Sequence, residues 1–407
     1  MSKNIFSFWW ICLVLFWGVA SCGQRVKGTN PQGEVCHADT CKINLQHTYQ
    51  VFVPSVDKSC SALPLLVIID SHGAGKFAVE KFEEAARTYK VVVVCSNRIK
   101  NGYGDFNRAL GELIGDVKEK YPVGESIFIG GFSGGARMAI AYSMNHRVDG
   151  VLACGALATP EQIAAVKCPL MSIVGMDDFN FIETARYILN PDQTPANLLI
   201  ELTEASHQWP DNGVLSNAVG FFMLSTEKTS DCLPLKSMID GYVAKQKTTI
   251  ESLAQNGSAI KAAMIARNLA NSPVFEKKGS FGSLSSELAG DDAFLQQQNE
   301  LAKNLRFEMK VREGYDNALL SKDSIWWKKE IGNLNSKIAT ESNTFSNMTY
   351  RRLKGYLGIV CYTLSNRFAT AGDAGKLEQI LAIYRAVEPE NEDMKNFTKV
   401  LGELKKR

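Results

Sequence analysis

Between residues 45 and 224 the chain alternates short apolar runs with helix-patterned segments, and that alternation leaves few folds open. The stretch "YQVFVP" (49–54) alternates as a half-buried strand does. "LPLLVIID" (63–70), "KVVVVCS" (90–96), "ESIFIGG" (125–131), "GVLACG" (150–155), "CPLMSIVG" (168–175) and "NLLIELT" (197–203) are instead short continuous apolar runs. Such strands need cover on both faces. The segments between them supply it: Ala109, Leu110, Leu113, Ile114 and Val117 recur at helical spacing. The pattern predicts an α/β fold with a doubly wound, mostly parallel sheet. Ligands in such sheets bind at the carboxyl ends of the strands.

After Asp231 the β-branched runs stop and helical stripes take over, with Leu301, Leu305 and Met309 in one segment and Leu377, Ile380, Leu381 and Tyr384 in another. We therefore expect an α/β domain over 45–228 and an all-helical domain over 229–407. "NSPVFEKKGSFGSLSSELAGDD" (271–292) is rich in Gly and Ser and reads as a loop. "KLEQILAIYRAVEPENEDM" (376–394) loosely resembles a tetratricopeptide helix pair closed by Pro389, so a solenoid and a bundle both stay open. Trp326-Trp327 and the aromatic residues around them form either a contact surface for a protein partner or packed core.

The 407 residues carry a formal net charge of only +2, which leaves no electrostatic footprint for nucleic acid. The N-terminus has its own character. Lys3 precedes an apolar run from Ile5 to Ala20, short for a membrane span and placed like the core of a signal peptide. It ends in Val19-Ala20-Ser21-Cys22, which resembles the lipobox of bacterial lipoproteins. That resemblance implies a signal over 1–21, an exported segment over 22–44, and lipidation of Cys22, with a plain secretory signal as the other option. Gly23 is not the aspartate of inner-membrane retention, so the outer membrane is the expected location.

Export makes the cysteines legible as a possible disulfide framework. Cys36 and Cys41 flank a short turn and are the expected disulfide, while Cys95 and Cys154 end apolar runs and read as buried thiols. No paired C-x-x-C spacing points to zinc, and no metal site is expected.

The chemistry concentrates in "IFIGGFSGGARMA" (127–139), where a β-run meets Gly130, Gly131, Phe132, Ser133, Gly134 and Gly135 before a helical run. A G-x-S-x-G at a strand-to-helix turn presents its serine as a nucleophile. Such a serine needs a base, and the base needs an orienting carboxylate. Five histidines are present, His37, His47, His72, His146 and His207, and only His207 follows a late strand. The strand before it ends in "MDDFNF", offering Asp177 and Asp178; the G-x-x-D spacing from Gly175 favours Asp178. Oxyanion donors should follow an early strand, and "DSHGAGK" (70–76) there offers Gly73 and Ala74, joined by the N–H of Gly134. A phosphate-loop reading of "GAGK" fails, because Asp70 stands at the leading glycine and Phe77 follows Lys76. His72 reads as structural or as support for the oxyanion loop. Trp209-Pro210 either lines a sugar or aryl subsite or packs beneath the histidine loop. Asn97, Arg98 and Asn101 lie on the side of the site and either touch substrate or form a solvated loop.

Taken together, "DSHGAGK", "SNRIKNG", "GFSGGARMA", "VGMDDFNF" and "SHQWP" resemble the α/β-hydrolase superfamily, in particular exported esterases of the polyhydroxybutyrate depolymerase and feruloyl or acetylxylan esterase group. The resemblance spans about residues 34–226 and says nothing of the helical half. It implies a serine esterase with Ser133 as nucleophile, His207 as proton shuttle, Asp178 as orienting acid and no cofactor. Its substrate would be a short acyl ester or an ester of a plant or bacterial polysaccharide. The short connection between the runs at 150–155 and 168–175 leaves no room for a large lid, which disfavours lipase activity on long chains. Two alternatives belong to other classes: a peptidase of the prolyl-oligopeptidase type, whose usual propeller is missing here, and a non-catalytic scaffold whose helical half binds a partner.

Overall fold

The structure is a computed structural model that describes residues 34–57, 60, 62–225 and 232–406. The lipobox-like stretch and Cys22 lie outside the described residues. Eight strands make one sheet: β1 (Val35–Thr40), β2 (Thr48–Val53), β3 (Leu63–Ile69), β4 (Val92–Ser96), β5 (Val123–Phe132), β6 (Gly150–Cys154), β7 (Leu170–Gly175) and β8 (Leu198–Thr203). Their order is β1-β2-β4-β3-β5-β6-β7-β8. β2 runs antiparallel to both neighbours, and β3 to β8 are mutually parallel. This is the doubly wound, mostly parallel sheet expected from the continuous apolar runs.

The period of two along a strand divides each run between two apolar layers. In β3, Leu65, Val67 and Ile69 join one layer, and Leu66 and Ile68 the other. The first layer packs against α2 (Phe106–Lys120), α3 (Gly134–Ser143) and α5 (Phe181–Leu189); α4 (Pro160–Ala165) adds Ile163. The second packs against α1 (Gly75–Tyr89) and α6 (Asn212–Leu224).

The remaining helices are α7 (Leu235–Gln255), α8 (Ala259–Ala270), α9 (Pro273–Gly279), α10 (Phe281–Gly290), α11 (Asp292–Ala318), α12 (Ser324–Thr340), α13 (Thr344–Ala371), α14 (Ala374–Val387) and α15 (Asp393–Leu404). Tyr242, Val243, Leu269, Phe275 and Phe281 belong to the second layer, and Ala263, Leu301 and Leu305 to the first. A third cluster, from Tyr315 to Phe397, holds Trp327 at its centre with 1% exposure.

Three local expectations need correction. The stretch 271–292 is helical (α9 and α10) because Phe275 and Phe281 are buried at 0% exposure, each worth about 1.5–3 kcal/mol of apolar transfer. The break between these helices is Ser280, with φ +52°. Strand β1 was invisible as a run because it is a polar edge strand, "VCHADT". That strand also overturns the expected Cys36–Cys41 disulfide. Cys36 sits inside β1 opposite Phe52, and Cys41 follows its end. Five residues of extended chain span about 16 Å, whereas bridged Cα atoms lie within about 7 Å. Both cysteines are free thiols. The disulfide present joins Cys60, between β2 and β3, to Cys232 just before α7, with a Cα–Cα distance of 5.0 Å. Cys95 and Cys154 are buried free thiols, and burial pushes Cys95 up to about 12.

Candidate active site

The turn between β5 and α3 is built around Ser133. Its φ of +56° and ψ of −117° place a non-glycine residue in a sparsely populated region, at a cost of order 1–3 kcal/mol. Neighbouring glycines let the turn close. A Cβ on Gly135 would strike the Ile69 carbonyl, and one on Gly131 would strike both that carbonyl and Gly135. The Ser133 N–H donates to the Cys154 carbonyl at 2.8 Å, which ties the turn to the end of β6.

His207 follows β8, and Asp178 follows β7. The structure brings both to Ser133: His207 Nε2 lies 3.0 Å from Ser133 Oγ, and His207 Nδ1 lies 2.9 and 3.0 Å from the two Asp178 oxygens. Asp178 is 1% exposed at its side chain and His207 20%, so the carboxylate is sealed while the imidazole reaches solvent. The Asp178 carboxylate also accepts the Asn180 N–H at 2.8 Å. Asp177 turns the other way, to Arg351 at 3.0 Å, and its carboxyl is held above the usual range by burial, against the pull of Arg351. Two aromatic rings grip the imidazole, Phe132 at 4.7 Å and Phe179 at 4.2 Å between centroids. Neither was singled out from the sequence. Phe132 sits inside the elbow motif, and Phe179 directly after Asp178, so proximity to those residues was the only available signal.

The loop after β3 departs from expectation. The Asp70 side chain accepts the N–H groups of His72 (2.9 Å) and Ala74 (3.0 Å), and its carbonyl accepts that of Gly73 at 3.1 Å. Gly73 and Ala74 thus spend their N–H groups on Asp70, closing the loop upon itself instead of facing Ser133. Gly134 is different: as the first residue of α3 its N–H has no acceptor within the helix. A Cβ on Gly134 would strike the Asn101 carboxamide, so Asn101 stands directly against this residue.

Trp209 does not line a subsite. It is 7% exposed, its indole N–H donates to the second Asp70 oxygen at 2.9 Å, and its ring packs against Phe132 and Phe82. Asp70 therefore fastens the loop after β3 to the histidine loop. Its anchoring role escaped the sequence reading because it depends on a partner 139 residues away. Asn97 is exposed, donates to Thr48 Oγ1 at 3.3 Å and covers Gly75 at the start of α1. Arg98 reaches Gln46 and the face of Tyr103. His72 is exposed and meets Ser71 Oγ at 3.2 Å. Among the described residues, no group of three or more His, Cys, Asp or Glu is placed to hold a metal ion.

No family model matches the chain, and no curated protein does. Solved structures do. FphF, a fluorophosphonate-binding serine hydrolase of Staphylococcus aureus, is 12% identical over 47% of this chain and 99% of its own, with a TM-score of 0.39. Est1E from Butyrivibrio proteoclasticus is 11% identical over 46% of this chain and 97% of its own, with a TM-score of 0.38. Esterase B from Lactobacillus rhamnosis is 13% identical over 48% of this chain and 89% of its own, with a TM-score of 0.35.

Proposed function

We propose that this chain is a serine hydrolase that cleaves carboxylic esters, of short acyl or carbohydrate-linked type, through Ser133, His207 and Asp178. One observation carries the reading: an unbroken line of hydrogen bonds from the Asp178 carboxylate, through both nitrogens of His207, to Ser133 Oγ. As Oγ attacks the ester carbonyl, His207 Nε2 takes its proton and Asp178 steadies the imidazolium. The imidazolium returns the proton to the departing alcohol, leaving an acyl group on Ser133. A water deprotonated by the same nitrogen then attacks the acyl carbon, the acid departs, and Ser133 regains its proton. The oxyanion faces the Gly134 N–H at the positive end of α3. Asn101 stands against Gly134 and borders this space.

The test is fluorophosphonate labelling of the full chain beside Ser133→Ala and His207→Ala, with turnover of p-nitrophenyl acetate and butyrate. The intact chain should label and hydrolyse. Each variant should lose about three to six orders of magnitude in kcat, since members of a triad act as a unit. A folded intact chain that neither labels nor hydrolyses would rule the esterase out.

The proposal includes export and a lipid anchor at Cys22 in the outer membrane. Support comes from the lipobox-like Val19–Cys22 and from the Cys60–Cys232 pair, a bond suited to an oxidising compartment. Changing Cys22→Ser should move the protein from the membrane fraction to the soluble one; a variant that stays with the membrane counts against the anchor.

A further inference from the structure

The segment that carries Asp178 is not held by the α/β body alone. Met176, Asp177, Asp178 and Phe179 run consecutively after β7, and arginines from α11 and α13 hold three of the four. Arg352 Nη1 donates to the Met176 carbonyl at 2.6 Å. Arg351 Nη1 meets the Asp177 carboxylate at 3.0 Å. Arg312 Nη2 donates to the Phe179 carbonyl at 2.8 Å. The fourth residue, Asp178, holds the imidazole. Gly355 of α13 lies against the Phe179 ring, the same ring that packs at a tilt against His207.

Behind these contacts is a buried charge cluster. Glu308 of α11 has a fully buried side chain, pairs with Arg352 at 2.7 Å and meets Arg312 at 2.5 Å. Arg352 is 2% exposed at its side chain, donates also to Thr349 Oγ1 at 2.8 Å, and lies over the Phe181 ring at 5.0 Å. A buried ion pair is a poor device for stability, because apolar residues of equal volume serve as well or better. What a guanidinium adds is geometry: a planar fork whose donors fix several acceptors at once. Here the fork spans the glutamate of one helix, a threonine of its own helix and the backbone of the acid loop.

We propose that Arg352 and Arg312, braced by Glu308, are positioning residues of the active site. The helical half sets the place of Asp178 and Phe179, and through them the orientation of His207. This inference rests on the hydrolase reading of Ser133, Asp178 and His207. A serine hydrolase of this fold can close its triad with loops of the α/β body; in this chain the acid loop depends on residues about 130 to 175 positions downstream.

The test uses the full chain with two sets of changes. The paired substitution Glu308→Met with Arg352→Met removes both buried charges together, so neither is left uncompensated. Arg312→Met leaves the Glu308–Arg352 pair in place and keeps the test open should the paired variant not fold. Four quantities are read: thermal midpoint, kcat and KM on p-nitrophenyl butyrate, and the downfield proton resonance of the His207 Nδ1–H to Asp178 hydrogen bond. The expected result is a midpoint unchanged or raised in the paired variant, with kcat lowered about ten- to a hundredfold, KM within about twofold, and the resonance shifted or lost. Unchanged kcat and resonance in folded variants would overturn the proposal and leave the arginines as interdomain packing. If the intact chain hydrolyses nothing, the hydrolase reading fails separately, and the resonance alone decides: kept in both variants it overturns the positioning role, lost in either it supports it.

Discussion

At Glu201, on the edge strand β8, a carboxyl lies beside a cavity of ≈ 20 Å³ whose other walls include Met171, Phe221, Tyr242, Ile265 and Leu269. Burial raises it to about 7, with Lys261 pulling the other way. At acid pH, below its ordinary value, the group is neutral in folded and unfolded chains alike and costs nothing. Between that value and about 7 the unfolded chain ionises first, so stability falls as pH rises and the loss is complete above about 7. The full loss is about 3 kcal/mol. Changing Glu201→Gln should therefore raise the thermal midpoint at about pH 8 and leave it nearly unchanged at about pH 4.5; equal effects at both would show that Glu201 does not titrate this way. Residues of this kind are silent in a sequence, because an acid in "LLIELT" looks like any polar interruption of a strand. Ser133, Asp178 and His207 were legible because each stands just after a strand end with its chemistry in plain view. The parts of Asp70 and Phe179 were not: they are set by what these residues touch, not by where they fall in a pattern.

At the level of elements, the continuous apolar runs marked β3 to β8 to within a few residues, because a strand covered on both faces leaves no other composition open. Polar β1 left no such mark, and missing it is what made a Cys36–Cys41 bridge plausible. The Gly and Ser content of α9 and α10 reads as loop, yet both are helical. Their stability comes from Phe275 and Phe281 packed into the layer beside α6 and α7, a tertiary term that outweighs weak propensity. The loop after β3 shows the same limit from the other side. "HGAG" matches an oxyanion loop by composition, yet the preceding Asp70 turns its N–H groups inward.

Across the whole molecule, the Cys60–Cys232 disulfide closes a loop with a sequence separation of 172. It ties the connection between β2 and β3 to the segment that enters the helical half. Removing it with Cys60→Ser and Cys232→Ser together should cost about 2–5 kcal/mol, read as a lower denaturant midpoint that reductant no longer shifts. A midpoint equal to that of the oxidised protein would show that the bond constrains little. The sequence alone determined the layered α/β sheet, the helical character of the second half and the candidate residues at strand ends, since periodicity and turn chemistry are set by near neighbours along the chain. The tertiary structure decided which cysteines pair, that Asp70 fastens the loop after β3 to Trp209, and that arginines of α11 and α13 hold the acid loop. Those outcomes are contacts between residues more than a hundred positions apart, and they exist only once the chain has closed.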